Sequence, residues 1–95
     1  MSHSSWEELK AQRGDDPEAK AGYEEARRAY ELGREVRRQR VAAGLTQQQL
    51  ADRAGMTQSV VARLEAGGTE PTLATLDRVA RALGLELTIA FERVA

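Results

Sequence analysis

The chain has 95 residues, no cysteine, one histidine and a formal net charge of −1. That length allows one domain with a modest core, and the missing cysteines exclude disulfides and thiolate metal sites. No apolar run approaches the roughly 18 residues of a membrane span, and the opening MSHSSW lacks the basic-then-apolar pattern of a signal segment, so a cytoplasmic protein is expected.

Charge is unevenly spread. Residues 1–31 hold eight acids and five bases, a net of −3, and residues 32–95 hold seven acids and nine bases, a net of +2. Residues 32–67 alone carry three acids and six bases, a net of +3. An acidic front and a locally basic middle suggest two different partners; the alternative is that solvated helices simply carry charges.

In chain order, Ser5 has the chemistry of a helix cap, with Glu8 completing a capping box around a short helix whose apolar side is Trp6 and Leu9. Gly14-Asp15-Asp16-Pro17 stops that helix. Asp16 then caps the next one, and Pro17 takes its first position, where a missing N–H costs nothing. From there to residue 43 the pattern is helical. Tyr23, Ala26 and Tyr30 recur at three- and four-residue steps, and Val36 and Val41 continue after a phase shift. Gly33 leaves open whether this is one helix or two.

After the stop at Ala43-Gly44, Thr46 caps a helix over about 47–54, with Gln49 as capping-box partner. Gly55 ends it, Thr57 caps a helix over 58–66, and Gly67-Gly68 ends that. Pro71-Thr72 opens a last helix over about 73–83, with Leu73, Leu76, Val79, Ala80 and Leu83 in one stripe, and Gly84 closes it. The period then becomes two. Leu85, Leu87, Ile89 and Phe91 alternate with Glu86, Thr88, Ala90 and Glu92, as in a strand. A lone strand leaves a row of backbone groups unpaired. The same strand of a second copy is the simplest remedy and predicts a two-fold homodimer; a tail packed on its own helices is the alternative. The expected architecture is mainly α, with five to six helices. An N-terminal helical arm covers 1–31, a helical unit 32–84, and one C-terminal β-strand, pairing across a dimer, 85–95.

The segment 45–67, LTQQQLADRAGMTQSVVARLEAG, is the most informative. It reads as two short capped helices joined by a tight turn, a unit that places a polar helix face in the DNA major groove. Leu50, Ala54, Val61 and Leu64 are expected inside. Ala51 is small where the helices cross, Gly55 suits a turn needing positive φ, and Met56 plugs that turn. These residues closely resemble the Cro/C1-type (XRE) helix-turn-helix family of phage repressors and small bacterial regulators. The matching positions are Leu45-Thr46-Gln47, Leu50-Ala51, Gly55, Gln58, Val61, Leu64-Glu65 and Gly67, with Pro71 following. The resemblance covers about residues 32–85.

The resemblance implies a set of DNA contacts. Thr46 and Gln47 open the first motif helix, and Gln47 would touch a phosphate and brace the base-reading residues. Thr57, Gln58 and Ser59 open the recognition helix, with Gln58 suited to adenine N6 and N7. Arg63 would reach guanine or a phosphate, Arg53 would be peripheral, and Gly68 and Thr69 would offer a backbone N–H to phosphate. The bland alternative for Gln58 and Ser59 is an exposed polar face with a good cap. In repressors of this family, residues matching Arg40 and Glu65 form a buried ion pair. Arg34, Arg37 and Arg38 would either contact phosphates or stay solvated. The implied partner is a palindromic double-stranded operator, with half-sites about 34–36 Å apart, bound in a salt-sensitive way.

The first 31 residues add Trp6, Leu9, Tyr23 and Tyr30, residue types favoured as interface anchors. Glu7, Glu8, Glu24 and Glu25 would suit a basic protein. With the motif and the terminal alternation, SWEELKAQRGDDPEAKAGYEEARRAYELGREVRRQR resembles HigA-type antitoxins of type II toxin–antitoxin modules. That resemblance implies neutralisation of a basic RelE/HigB-like ribonuclease toxin by the arm, and repression of the chain's own operon. The alternatives are an arm packed back on its own domain, a stand-alone repressor, and a protein-bridging coactivator that does not read bases. An enzyme is not expected. His3 has no second histidine or cysteine for a metal site, no carboxylates pair in a pocket-forming segment, and Gly67-Gly68 lacks the lysine of a phosphate loop. No cofactor and no small-molecule ligand are expected, because no segment of sufficient size for a sensing domain follows residue 84.

Overall fold

Asp16 starts the first helix: its Oδ1 accepts the Glu18 N–H at 3.0 Å, with Pro17 in the first turn. The computed structural model describes residues 16–94 and orders four helices along them. They are α1 (Pro17–Ala42), α2 (Gln47–Ala54), α3 (Gln58–Glu65) and α4 (Leu73–Ala82). The expectations at Ser5, Trp6, Glu7, Glu8 and Leu9 lie outside the described residues. The expected five or six helices therefore become four among the described ones.

Part of that difference comes from Gly33, which does not divide α1. The helix runs unbroken for 26 residues. Gly33 is a contact instead: a Cβ there would stand 2.3 Å from the Leu64 carbonyl oxygen and 2.7 Å from that of Glu65. Glycine inside a helix costs about 1 kcal/mol against alanine, and here the close approach of α1 to the last turn of α3 offsets it. Gly67, at φ 76°, plays the same part further back along α1, since a Cβ on it would lie 2.8 Å from Tyr30 Cα.

The α2–α3 hairpin is closed at each joint by backbone chemistry. Thr46 Oγ1 accepts the Gln49 N–H at 3.1 Å while Gln49 Oε1 accepts the Thr46 N–H at 2.9 Å, a complete capping box. Gly55 ends α2 at φ 71°, a left-handed conformation that side chains with a Cβ resist. Met56 N–H then reaches the Ala51 carbonyl at 2.9 Å, and Gly55 N–H that of Asp52 at 3.4 Å. This six-to-one and five-to-two pair is a Schellman motif, and the same pair closes α1, α3 and α4. Thr57 opens α3 and Thr72 opens α4, their hydroxyls accepting the Val60 and Thr75 N–H groups at 3.3 and 3.1 Å.

One core joins the helices. Val36 of α1, Leu50 and Ala51 of α2, Val61 and Leu64 of α3 and Val79 of α4 form it, with Leu32, Met56, Ala82 and Leu83 packed partly buried around them. Leu50, Val61 and Leu64 are essentially sealed from solvent. The expected inward set of Leu50, Ala51, Ala54, Val61 and Leu64 is buried, and Met56 does sit half-buried at the turn. Two expected apolar positions differ. Val41 is 58% exposed and Leu73 62%. Leu73 shares the face of Val79 and Ala80 but lies in the first turn of α4, where nothing in the described core covers it.

The C-terminal alternation does not form a strand among the described residues. A ladder requires a facing backbone, and residues 85–94 find none within the chain. Only the first of them is held, by the Leu85 N–H to the Ala80 carbonyl at 2.8 Å. Ile89, Phe91 and Val94 are largely exposed, Leu85 is 43% exposed, and Leu87 is half-buried. No helix among the described residues is long and apolar enough to cross a membrane, and none of their acidic or histidine side chains group as metal ligands would.

Candidate nucleic-acid interface

The α2–α3 hairpin sets two capped helix starts on the same unit, and a line of side chains links them to α1. The line begins with a buried ion pair. Arg40 Nε donates to Glu65 Oε2 at 2.6 Å and Arg40 Nη2 to Glu65 Oε1 at 3.0 Å, with side-chain exposures of 11% and 3%. Arg40 Nη1 also donates to the Leu45 carbonyl at 2.8 Å, so the guanidinium staples the end of α1 to the loop before α2. The hydrogen bond with Glu65 raises the Arg40 pKa above its ordinary value; burial works against this and the charge attraction adds to it.

Glu65 Oε1 accepts a second bond, from Gln47 Nε2 at 3.0 Å, and Gln47 Oε1 accepts one from Gln58 Nε2 at 2.6 Å. The line has one consistent polarity. A carboxylate can only accept, so Gln47 must turn its NH₂ to Glu65 and its oxygen outward. That oxygen in turn needs a donor, which sets the Gln58 amide with its NH₂ toward Gln47. Gln58 is left with its Oε1 and one N–H uncommitted among the described residues. No buried polar side-chain atom among them lacks a hydrogen-bond partner.

The remaining expected site residues fall around this line. Thr46, Arg53, Thr57, Ser59 and Arg63 are exposed, and Thr69 is half-buried. Arg63 and Thr69 line one cleft of about 220 Å³, with Val60, Pro71, Thr72 and Thr75, along the flank of α3. On α1, Arg38 pairs with Glu35, the Arg34 guanidinium lies 5.9 Å from the Tyr30 ring centroid, and Arg37 is exposed. Further forward, Arg27 bridges Glu24 at 2.9 Å and Glu31 at 2.8 Å, so Glu24 is not a bare acid. The hydrogen bonds that Arg27 donates to Glu24 raise its pKa, and the charge attraction to Glu24 and Glu31 adds to this. Tyr23 is half-buried, Glu25 exposed, and Tyr30 43% exposed; Trp6 and Leu9 lie outside the described residues.

One residue of this unit gave no signal in the sequence. Arg78 of α4 donates through Nε to the Ala54 carbonyl at 3.1 Å and through Nη2 to the Gly55 carbonyl. It thereby satisfies carbonyls at the C-terminus of α2 that the Schellman pair leaves over. Residues 54, 55 and 78 share no spacing rule, so only the packing of α4 on α2 brings them together.

Comparison with known proteins matches this geometry to a family. The helix-turn-helix family model HTH_3 covers residues 36–89. An uncharacterized HTH-type transcriptional regulator of Methanothermobacter thermautotrophicus is 45% identical over 51 residues, covering 54% of this chain and 74% of that protein. A second such regulator, y4dL of Sinorhizobium fredii, is 41% identical over 59 residues; the match covers 62% of this chain but only 30% of the relative. Among solved structures, the restriction-modification controller protein C.AhdI from Aeromonas hydrophila superposes with a TM-score of 0.63 at 31% identity, over 64% of this chain and 88% of that one. The chain belongs to the helix-turn-helix family. It is a DNA-binding transcription regulator, not an enzyme.

Proposed function

We propose that the chain is a sequence-specific repressor that binds a palindromic operator as a homodimer, with Gln58 reading adenine. The observation that carries this reading is the polarity of the Arg40–Glu65–Gln47–Gln58 line. An amide left with one acceptor and one donor matches the N6–H and N7 of adenine. It mismatches guanine, whose O6 and N7 both accept. Gln47 thus serves twice, bracing Gln58 and standing at the start of α2, where a phosphate is favoured. Thr46, Thr57 and Ser59 supply polar contacts at the same edge, and Arg63, Arg53 and Thr69 contact phosphates along the flank. The exposed apolar row of Leu85, Ile89 and Phe91, with Leu87 beside it, pairs with its copy across the two-fold axis and ends the unpaired state of that backbone.

The test is duplex selection from a random library, followed by anisotropy titrations of the wild type, Gln58→Ala and Arg63→Ala. The Gln58→Ala chain should lose about 1–3 kcal/mol at one adenine position and become indifferent to the base there. Arg63→Ala should weaken all duplexes alike. Unchanged base preference in Gln58→Ala would remove that residue from reading.

A second activity rests on α1. The helix begins at Pro17, whereas the family match begins at Val36. We take the part of α1 before that match as an addition to the matched region; it carries the half-buried Tyr23 and the exposed Glu25, with Arg27 bridging Glu24 and Glu31. We read it, with Trp6 and Leu9, as the surface by which an antitoxin would hold a basic RelE/HigB-like toxin. The matching experiment co-expresses the chain with the product of the adjacent reading frame. Deletion of residues 1–28, which spares the Tyr30–Gly67 and Gly33–Leu64 contacts, should abolish rescue and keep operator binding. Rescue by the truncated chain would leave a stand-alone repressor.

A further inference from the structure

We infer that Arg78 is a positioning residue that sets the spacing between the two half-sites the regulator accepts; this rests on the dimeric reading above. The root of the tail is held on α4, because Gly84 N–H bonds the Arg81 carbonyl at 3.0 Å and Leu85 N–H bonds that of Ala80 at 2.8 Å. Where two tails meet at this root, beside Leu85, they carry their α4 helices with them. α4 in turn packs on α2, with Val79 in the shared core. The hydrophobic attraction itself is non-directional, so a polar contact adds an orientation to what side-chain interlocking supplies.

The directional element is the Arg78 fork. Among the described residues it makes the only side-chain hydrogen bonds from α4 to another helix, and both end on the carbonyls of Ala54 and Gly55. Those carbonyls lie at the turn that leads into Thr57, the cap of α3. The fork passes close to Gly55, where a Cβ would stand 3.3 Å from Arg78 Nη2, a tight contact. A planar guanidinium gripping two successive carbonyls resists both sliding and rotation. The lever is large enough to matter. Leu85 lies seven residues, about 10 Å, beyond Arg78, so a tilt of about 10° moves the tail root by roughly 2 Å in each chain and roughly 4 Å between two, close to one base-pair rise of about 3.4 Å. Without the fork, one pair of chains would fit several spacings; with it, one spacing is preferred.

The experiment selects duplexes with the full wild-type chain. The selected site is then remade with one base pair inserted or removed at its centre. Dissociation constants are measured for the wild type, Arg78→Met, Arg78→Lys and the core control Val36→Ala, with sedimentation giving chains per duplex. The wild type and Val36→Ala should lose about tenfold or more on either altered spacing, the scale of one mismatched base pair. Arg78→Met should lose less than about threefold, with Arg78→Lys between, although Arg78→Met keeps its base preference within each half-site. If Arg78→Met melts lower but keeps the full spacing penalty, Arg78 is only a cap for α2 and the inference is overturned. Should Arg78→Met not fold, the decision passes to Arg78→Lys, where a full wild-type penalty overturns it. One wild-type chain per duplex with no spacing penalty overturns the dimeric reading, and this inference with it.

Discussion

A methyl group added at Gly33 would gain helix propensity and lose the docking of α1. The second effect is the larger, because the obstacles are the backbone carbonyls of Leu64 and Glu65, which cannot rotate away. Gly33→Ala should therefore destabilise the chain by about 1–3 kcal/mol in urea unfolding. Gly22→Ala, where nothing stands within 4 Å, should stabilise it by about 0.5–1 kcal/mol. Two glycines in one helix thus respond with opposite signs. The buried ion pair makes a similar contrast. Arg40→Met leaves the Glu65 charge unpaired and should cost about 3–5 kcal/mol, whereas Arg40→Met with Glu65→Leu should recover most of that stability. The double variant also deletes the acceptor that orients Gln47, so its base discrimination should stay lost while its melting point returns. Discrimination that returned with stability would show that the pair does nothing but hold the fold. Because Glu65 raises the Arg40 pKa, the arginine's contribution is complete at every pH below its unfolded value and fades only above it.

Each helix starts at a side-chain cap and ends in the same backbone motif, so element boundaries depend on single residues. Thr57 is the sensitive one, because it caps the helix that carries Gln58. Thr57→Ser should leave the unfolding midpoint close to wild type, and Thr57→Ala should cost about 1 kcal/mol, measured by thermal circular dichroism. A drop in DNA affinity larger than that stability loss would mark a direct contact by the hydroxyl. The charge pairs on α1 carry no comparable weight. The Arg27 side chain is 46% exposed, and exposed pairs of this kind contribute little and are screened by salt. Arg27→Ala should leave the melting temperature unchanged in both low and high salt.

At the scale of the molecule, the four helices bury a small core, and the tail leaves apolar side chains in water. If the proposed dimer forms, association adds to the stability of this small core. Its melting temperature should rise with protein concentration, and removal of residues 86–95 should abolish that rise. A melting temperature independent of concentration in the full chain would count against the paired strand. Operator affinity should fall steeply and linearly on a logarithmic salt axis, at a slope of about −0.9 for each phosphate neutralised. Arg63→Ala should reduce that slope by about 1, and Gln58→Ala should leave it as it is.

The caps, stops and inward positions of α2, α3 and α4 were legible in the chain, because they depend on neighbours within about four residues. Asp16, Thr46 with Gln49, Thr57 and Gly55 each act on backbone close by, and the three- and four-residue apolar step marks the buried face. What the tertiary structure alone decided depends on residues distant in sequence. Gly33 reads as a break until α3 lies against it, and Leu73 reads as core until the first turn of α4 stands clear. Arg78 reads as a surface base until α4 brings it to the end of α2, and the order of donors through Gln47 exists only once Glu65 is buried 25 positions from its arginine. The alternating tail shows the same division. Its side-chain period is written in residues 85–92, but a strand is a relation between two backbones, and one chain in isolation supplies only one of them.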